Sequence, residues 1–262
     1  MRYVRNSLQL VIALICLSLV IVGCSYTKGQ DSVLKEITVS IGGEPEVLDP
    51  QLVTDVYPMR IINAAFEGLC RFDENGAPMP GIARTWDVSE DKLTYTFHLR
   101  EALWSDGTKV TAMDFKEAWL RALDPDPKDH QPALMGYLLM CIEGAESYLY
   151  GEGNKEDVAI DAKDEKTLVV KLNQPTPYFL QIVCSSVAMP INKEFYSKQP
   201  LVNGMSKYGA EVENILSNGP FIVKEWKHNR DIVLEKNPNY WNAENIKIDK
   251  INFKIIPDNS SA

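Results

Sequence analysis

The stretch Leu93–Leu123, LTYTFHLREALWSDGTKVTAMDFKEAWLRAL, constrains this chain more than any other part, because three local signals follow one another and agree. Leu93, Tyr95, Phe97 and Leu99 alternate with Thr94, Thr96, His98 and Arg100, the period of a half-buried strand. Asp106-Gly107 then stands between extended segments and predicts a tight turn. Thr111 precedes Asp114 by three residues, so its hydroxyl can accept from the third helical N–H while the acid favours the positive end of the helix. Phe115, Ala118, Trp119 and Ala122 follow at helical spacing and predict one buried face. Asp124-Pro125-Asp126-Pro127 ends the helix. Nothing in this unit is an obvious catalyst; it predicts core.

The N-terminus carries a different signal. Arg2 and Arg5 precede Leu8–Val22, an apolar run broken only by Gln9 and Ser18. At about 15 residues it suits a leader better than a membrane span. The run ends Gly23-Cys24, which resembles the lipobox of bacterial lipoproteins and implies cleavage before Cys24 and a lipid on that residue. Residues 1–23 are thus expected to be the leader and 24–35 a flexible tether. Formal net charge is −9, and the basic residues are scattered among acids. That excludes the clustered positive charge that nucleic acid requires. Beyond the leader and Cys24, Cys70, Cys141 and Cys184 remain. One bridge plus one thiol, or three small buried hydrophobes, both satisfy that odd number. Neither the cysteine spacing nor the three histidines predicts a metal site, and no cofactor is expected.

Read in order, Glu36–Ile41 is a strand, followed by a polar loop from Glu44 to Asp55. Pro58 suits the first turn of a helix whose buried face is Met59, Ile62, Phe66 and Leu69, with Gly68 as terminator. Pro78, Pro80 and Gly81 predict an irregular stretch, and Trp86–Val88 a short strand. Pro132 to about Leu149 predicts one apolar helix. Val158–Ile160 with Thr167–Leu172 predicts a hairpin, and Thr176 to Cys184 a short helix. Further strands are expected at Phe221–Trp226, Asp231–Lys236 and Lys250–Ile256. Strands and helices are interspersed without a regular βαβ period, so the class is α+β, a mixed α/β fold.

Catalytic motifs are missing: there is no G-x-S-x-G, H-E-x-x-H, Walker A or G-x-G-x-x-G pattern. Five tryptophans and 11 tyrosines could line a ligand cleft or fill the core.

The specific signal is a series of short motifs. Glu67-Gly68-Leu69, Asp73-Glu74-Asn75-Gly76, Pro80-Gly81-Ile82-Ala83, Trp86, Tyr95–Arg100 and Trp104-Ser105-Asp106-Gly107 come in order. Thr111-Ala112, Asp114-Phe115, Leu123-Asp124-Pro125, Asn218-Gly219-Pro220-Phe221, Glu225-Trp226, Asn237-Pro238 and Tyr240-Trp241 continue them. In order and spacing these resemble the oligopeptide-type solute-binding proteins, solute-binding family 5, of bacterial ABC importers. The resemblance covers roughly Glu36 to Ile256.

It implies a periplasmic-binding-protein-like fold of class II type. Residues 36–67 and 190–262 would form the first lobe and 68–189 an extra small domain. The second lobe would be absent, the chain being about half the usual family length. It further implies an extracytoplasmic, lipid-anchored, monomeric receptor that is not an enzyme. Such a receptor captures an oligopeptide between two lobes and delivers it to ABC permease subunits. The alternatives are a lipid-anchored surface hydrolase, or a non-transporting receptor or adhesin on the same scaffold. Carried over residue by residue, Thr54, Asp55 and Val56 are the expected first-lobe ligand contacts, Val56 pairing through its backbone like an added strand. Gln131 or Pro132 falls near a tyrosine often found in the family after the Asp-Pro element, and Gln131 is the expected contact there.

Overall fold

The computed structural model describes residues 34–257. Cys24, the leader and most of the tether lie outside the described residues. The chain runs β1 (Glu36–Ile41), α1 (Val56–Ala65), β2 (Cys70–Phe72), β3 (Pro78–Pro80), β4 (Ala83–Val88), β5 (Thr94–Leu99) and α2 (Ala112–Ala122). It continues through α3 (Ala145–Leu149), β6 (Ile160–Asp164), β7 (Thr167–Lys171), α4 (Phe179–Val183) and α5 (Lys193–Ser197). Then come β8 (Leu201–Val202), β9 (Met205–Ser206), β10 (Phe221–Lys227), β11 (Asp231–Lys236) and β12 (Lys250–Ile255).

Two four-stranded sheets carry the fold. One has the order β1-β12-β11-β10, with β1 parallel to β12 and the other pairs antiparallel. The other, β4-β5-β7-β6, is antiparallel throughout. In β5 the alternation is as expected: Tyr95, Phe97 and Leu99 are buried, and the residues between them are half-buried. α2 packs on β6 and β7, and both halves of the Thr111–Asp114 capping box are present. Trp104 and Trp119 are fully buried, and each indole N–H has a partner: Asp114 Oδ2 at 3.3 Å and the Ala188 carbonyl at 2.8 Å. Such partners let large amphipathic rings enter a core.

Three local expectations differ. α1 starts at Val56, which puts Pro58 in its first turn as expected, but it ends at Ala65. Phe66 is already extended because Gly219 packs there, its N–H donating to the Ala65 carbonyl at 2.9 Å. Pro78–Pro80 is a strand paired to Cys70–Phe72; in a two-stranded ribbon proline can face the unpaired side. The apolar stretch after Pro132 is not one helix but a 3-10 turn, Gly136–Cys141, followed by α3. Gly144 divides them at φ +81°, and a Cβ there would lie 2.2 Å from the Asp157 carbonyl oxygen.

Candidate ligand-binding face

Asp49 lies in the loop after β1 and Arg121 in the last turn of α2. Arg121 grips Asp49 with both terminal nitrogens, Nη2 at 2.7 Å from Oδ2 and Nη1 at 3.1 Å from Oδ1. The side chains are 9% and 1% exposed, so the pair is enclosed in protein. Gln51 closes the arrangement: its Oε1 accepts from Arg121 Nη1 at 3.2 Å and its amide donates to the Met189 carbonyl at 2.8 Å. The guanidinium also stacks 4.7 Å from the Tyr196 ring centre. Burial works against the guanidinium charge, but Asp49 outweighs it and holds Arg121 above its ordinary pKa.

This pair anchors two loops. On the Asp49 side, the N–H groups of Leu52 and Val53 both donate to the Asp49 carbonyl at 3.1 Å, which turns the chain toward Thr54. Thr54 and Asp55 are exposed and line a recess of about 100 Å³ with Glu44, Glu46, Tyr57 and Pro58. Asp55 is extended and caps α1 from its backbone; Val56 is the first helical residue, 66% exposed. Helical backbone at Val56 does not continue as a strand. What it offers is an N–H with no acceptor inside the helix.

On the Arg121 side, α2 ends and the chain runs to His130, which is 8% exposed. Its Nδ1 lies 2.7 Å from the Gln131 carbonyl and must carry the hydrogen, since that oxygen only accepts. Burial first, and Arg121 second, push the His130 pKa below its ordinary value, so the ring is neutral at pH 7. Gln131 itself is exposed. It does not line the recess of Thr54 and Asp55. Thus Thr54, Asp55 and Val56 form one group and Gln131 stands apart, the two joined through the buried pair. The β8–β9 region stitches both loops: Ser206 N–H donates to the Asp129 carbonyl at 2.6 Å and Leu48 N–H to the Gly209 carbonyl at 2.8 Å.

Sequence reasoning missed three features here. A cavity of about 390 Å³ opens over Arg121, its walls including Lys116, Asp124, His130, Tyr148 and Tyr196. Glu67, 4% exposed, is gripped by the Tyr240 hydroxyl at 2.9 Å and the Trp241 indole N–H, with Arg71 at 3.6 Å. Burial raises the Glu67 pKa despite those partners. Glu67, Tyr240 and Trp241 were visible as motif residues, but no local pattern paired them. Third, Glu44 collects the Trp226 indole at 2.8 Å and His228 Nδ1 at 2.6 Å, holding the start of the Glu44–Asp55 loop to the β10–β11 turn.

The other histidine, His98, meets Asp87 at 2.7 Å across β4 and β5. Among the described residues no histidine is hydrogen-bonded to a serine, threonine or cysteine, and no cluster of three His, Cys, Asp or Glu side chains could hold a metal ion.

The family profile described as "Bacterial extracellular solute-binding proteins, family 5 Middle" matches residues 77–262. The chain belongs to this family. The dipeptide-binding protein DppE of Bacillus subtilis is 38% identical over 238 residues, 90% of this chain and 42% of that protein. The oligopeptide-binding protein OppA of Bacillus subtilis is 38% identical over 226 residues, 86% of this chain and 40% of that protein. Solved structures share the fold. Listeria monocytogenes OppA bound to peptide superposes with a TM-score of 0.80 at 30% identity, covering 86% of this chain and 43% of that one. The unliganded open form of the murein tripeptide-binding protein MppA gives 0.79 at 29% identity, covering 88% and 43%. The class II periplasmic-binding-protein-like, mixed α/β reading therefore holds. The chain spans about 40% of the length of the curated relatives it matches.

Proposed function

We propose that this chain is the first-lobe portion of an ABC importer's peptide receptor. It captures short peptides on the extracytoplasmic face, is anchored through a lipid on Cys24, and hands its cargo to the permease. Family 5 membership carries this reading, together with relatives whose names are dipeptide- and oligopeptide-binding proteins. In it, residues 36–67 and 190–262 form the lobe and 68–189 the extra domain. Sheet composition supports that division: β1 and β10–β12 come from the outer segments and β4–β7 from the inner one. Thr54, Asp55, Val56 and Gln131 are the ligand contacts on this side, and a rigid base suits them, because affinity for shared peptide main chain needs fixed donors.

Proline tests the backbone role of Val56. At the first helical position proline keeps the helix and deletes only the N–H. Asp55, at φ −90° and ψ 150°, already has the conformation that precedes proline. In calorimetry with tri- and tetrapeptides on the full-length gene product, Val56→Pro is expected to weaken binding about tenfold, the worth of one hydrogen bond. Val56→Ala should not weaken it. Equal affinity of both variants with the parent would remove Val56 from the site. No heat from any peptide would remove the peptide reading. Metabolic labelling with a radioactive fatty acid, lost in Cys24→Ala, tests the anchor.

A further inference from the structure

Cys70 and Cys184 have no part in the ligand-binding face, yet the fold brings them together. Cys70 opens β2 and is 1% exposed; Cys184 caps α4 and is 7% exposed. α4 packs on β2. The two backbones approach closely at the neighbouring residues: a Cβ on Gly68 would lie 3.3 Å from the Val183 carbonyl oxygen. Both thiols line one cavity of about 490 Å³, whose walls also include Met59, Met189, Arg71 and Tyr240. The neighbouring Cys70 thiol holds the Cys184 thiol below its ordinary pKa, and the Cys184 thiol, with burial behind it, raises that of Cys70. Cys141 stands apart, half-buried, its thiol resting on the Leu138 carbonyl at 3.7 Å and pushed up to about 11 by burial.

We propose that Cys70 and Cys184 are a redox-active dithiol that closes to a disulfide, with Cys184 as the attacking thiol. The oxidant class is a small dialkyl disulfide. The Cys184 thiolate attacks one sulfur of that disulfide, the S–S bond breaks, and one thiolate leaves and takes up a proton. Cys70 then loses its proton and attacks the Cys184 sulfur of the mixed disulfide, releasing the second thiol. Two protein thiols are oxidised and one small disulfide is reduced to two thiols. Two features set the pair apart from an isolated buried cysteine: the neighbouring thiol lowers the Cys184 pKa, and both residues line one cavity. The bridge closes a loop that contains the whole β4–β7 sheet. It also resolves the odd cysteine count as one bridge plus the unreactive Cys141.

The test treats the folded, reduced full chain with excess oxidised glutathione at pH 8, blocks residual thiols with N-ethylmaleimide and maps the peptides by mass spectrometry. A Cys70–Cys184 linked peptide is expected, with Cys141 recovered as the blocked thiol. Oxidation should raise the urea midpoint by about 1–2 M, as closing a loop of roughly 115 residues predicts. Cys141→Ser should leave linkage and shift intact, and Cys70→Ser should stop the reaction at the glutathione adduct on Cys184. Recovery of Cys70 and Cys184 both blocked, or linkage of either to Cys141, overturns the proposal. Since the mapping uses the parent protein, the result stands even if a variant fails to fold.

Discussion

Replacing Asp49 by Asn removes one charge from the Asp49–Arg121 pair and changes little else in shape. Arg121 then remains 9% exposed without a full countercharge. Two unit charges about 4 Å apart attract by about 4 kcal/mol at an effective dielectric of 20. Removing one partner of a buried pair costs about 3–5 kcal/mol, because the survivor stays desolvated. For a chain of this size in urea, with a slope of about 2–3 kcal/mol/M, the midpoint should fall by about 1–2 M. Arg121→Met should do the same, exposing Asp49 to the converse problem. The double variant has no orphan charge, so it should lose at least 2 kcal/mol less than the sum of the singles. Urea unfolding followed by tryptophan fluorescence reads all four proteins, and peptide calorimetry on the full-length product reads the loops they anchor. Single variants within 0.3 M of the parent, or strict additivity, would refute the view that this pair carries the face.

Asp114 supplies a pH test. Burial raises its pKa to about 6, against the opposing bonds from Thr111 and Trp104. The native state then binds more protons than the unfolded chain between about pH 4 and 6, so stability falls as pH rises through that window, by about 3 kcal/mol in all. Asp114→Asn removes this dependence, and its stability relative to the parent should grow from pH 4 to pH 6 in matched urea titrations; a flat difference would contradict the assignment. Gly219→Ala places a Cβ 2.7 Å from Phe66 N and Ala65 C, both backbone atoms, and should lower the thermal midpoint through about 1–3 kcal/mol of overpacking. Glu67→Ala leaves the Tyr240 hydroxyl and the Trp241 indole unpaired in buried surroundings, and a loss of about 2–4 kcal/mol is expected by urea denaturation.

What could be read from the sequence was local. The Thr111–Asp114 box, the β5 alternation and the Asp-Gly turn with Gly107 at φ +89° depend on neighbours within a few residues, and all appear. The motif series led to the family because it records spacing along the whole chain. What could not be read depends on distant partners. Arg121 looks like an ordinary last-turn charge until Asp49, 72 residues earlier in the chain, is placed beside it. Gly136 looks like a helix interior position until the fold brings the Ala122 carbonyl within 2.2 Å of where its Cβ would be. The strand-like backbone role of Val56 came from the family resemblance, whereas the helix begins at Val56 with Pro58 in its first turn, where proline is tolerated.

The parallel pairing of β1 with β12 has a mechanical consequence. Six residue pairs, from Glu36 with Lys250 to Ile41 with Ile255, join these strands side by side in the same direction. A pull on the chain before Glu36 against one after Ile255 draws the strands lengthwise past each other. In that shearing geometry the hydrogen bonds along the pair resist together, whereas peeling the strands apart from one end would break them one at a time. Force applied between these two ends would therefore be met by all six residue pairs at once.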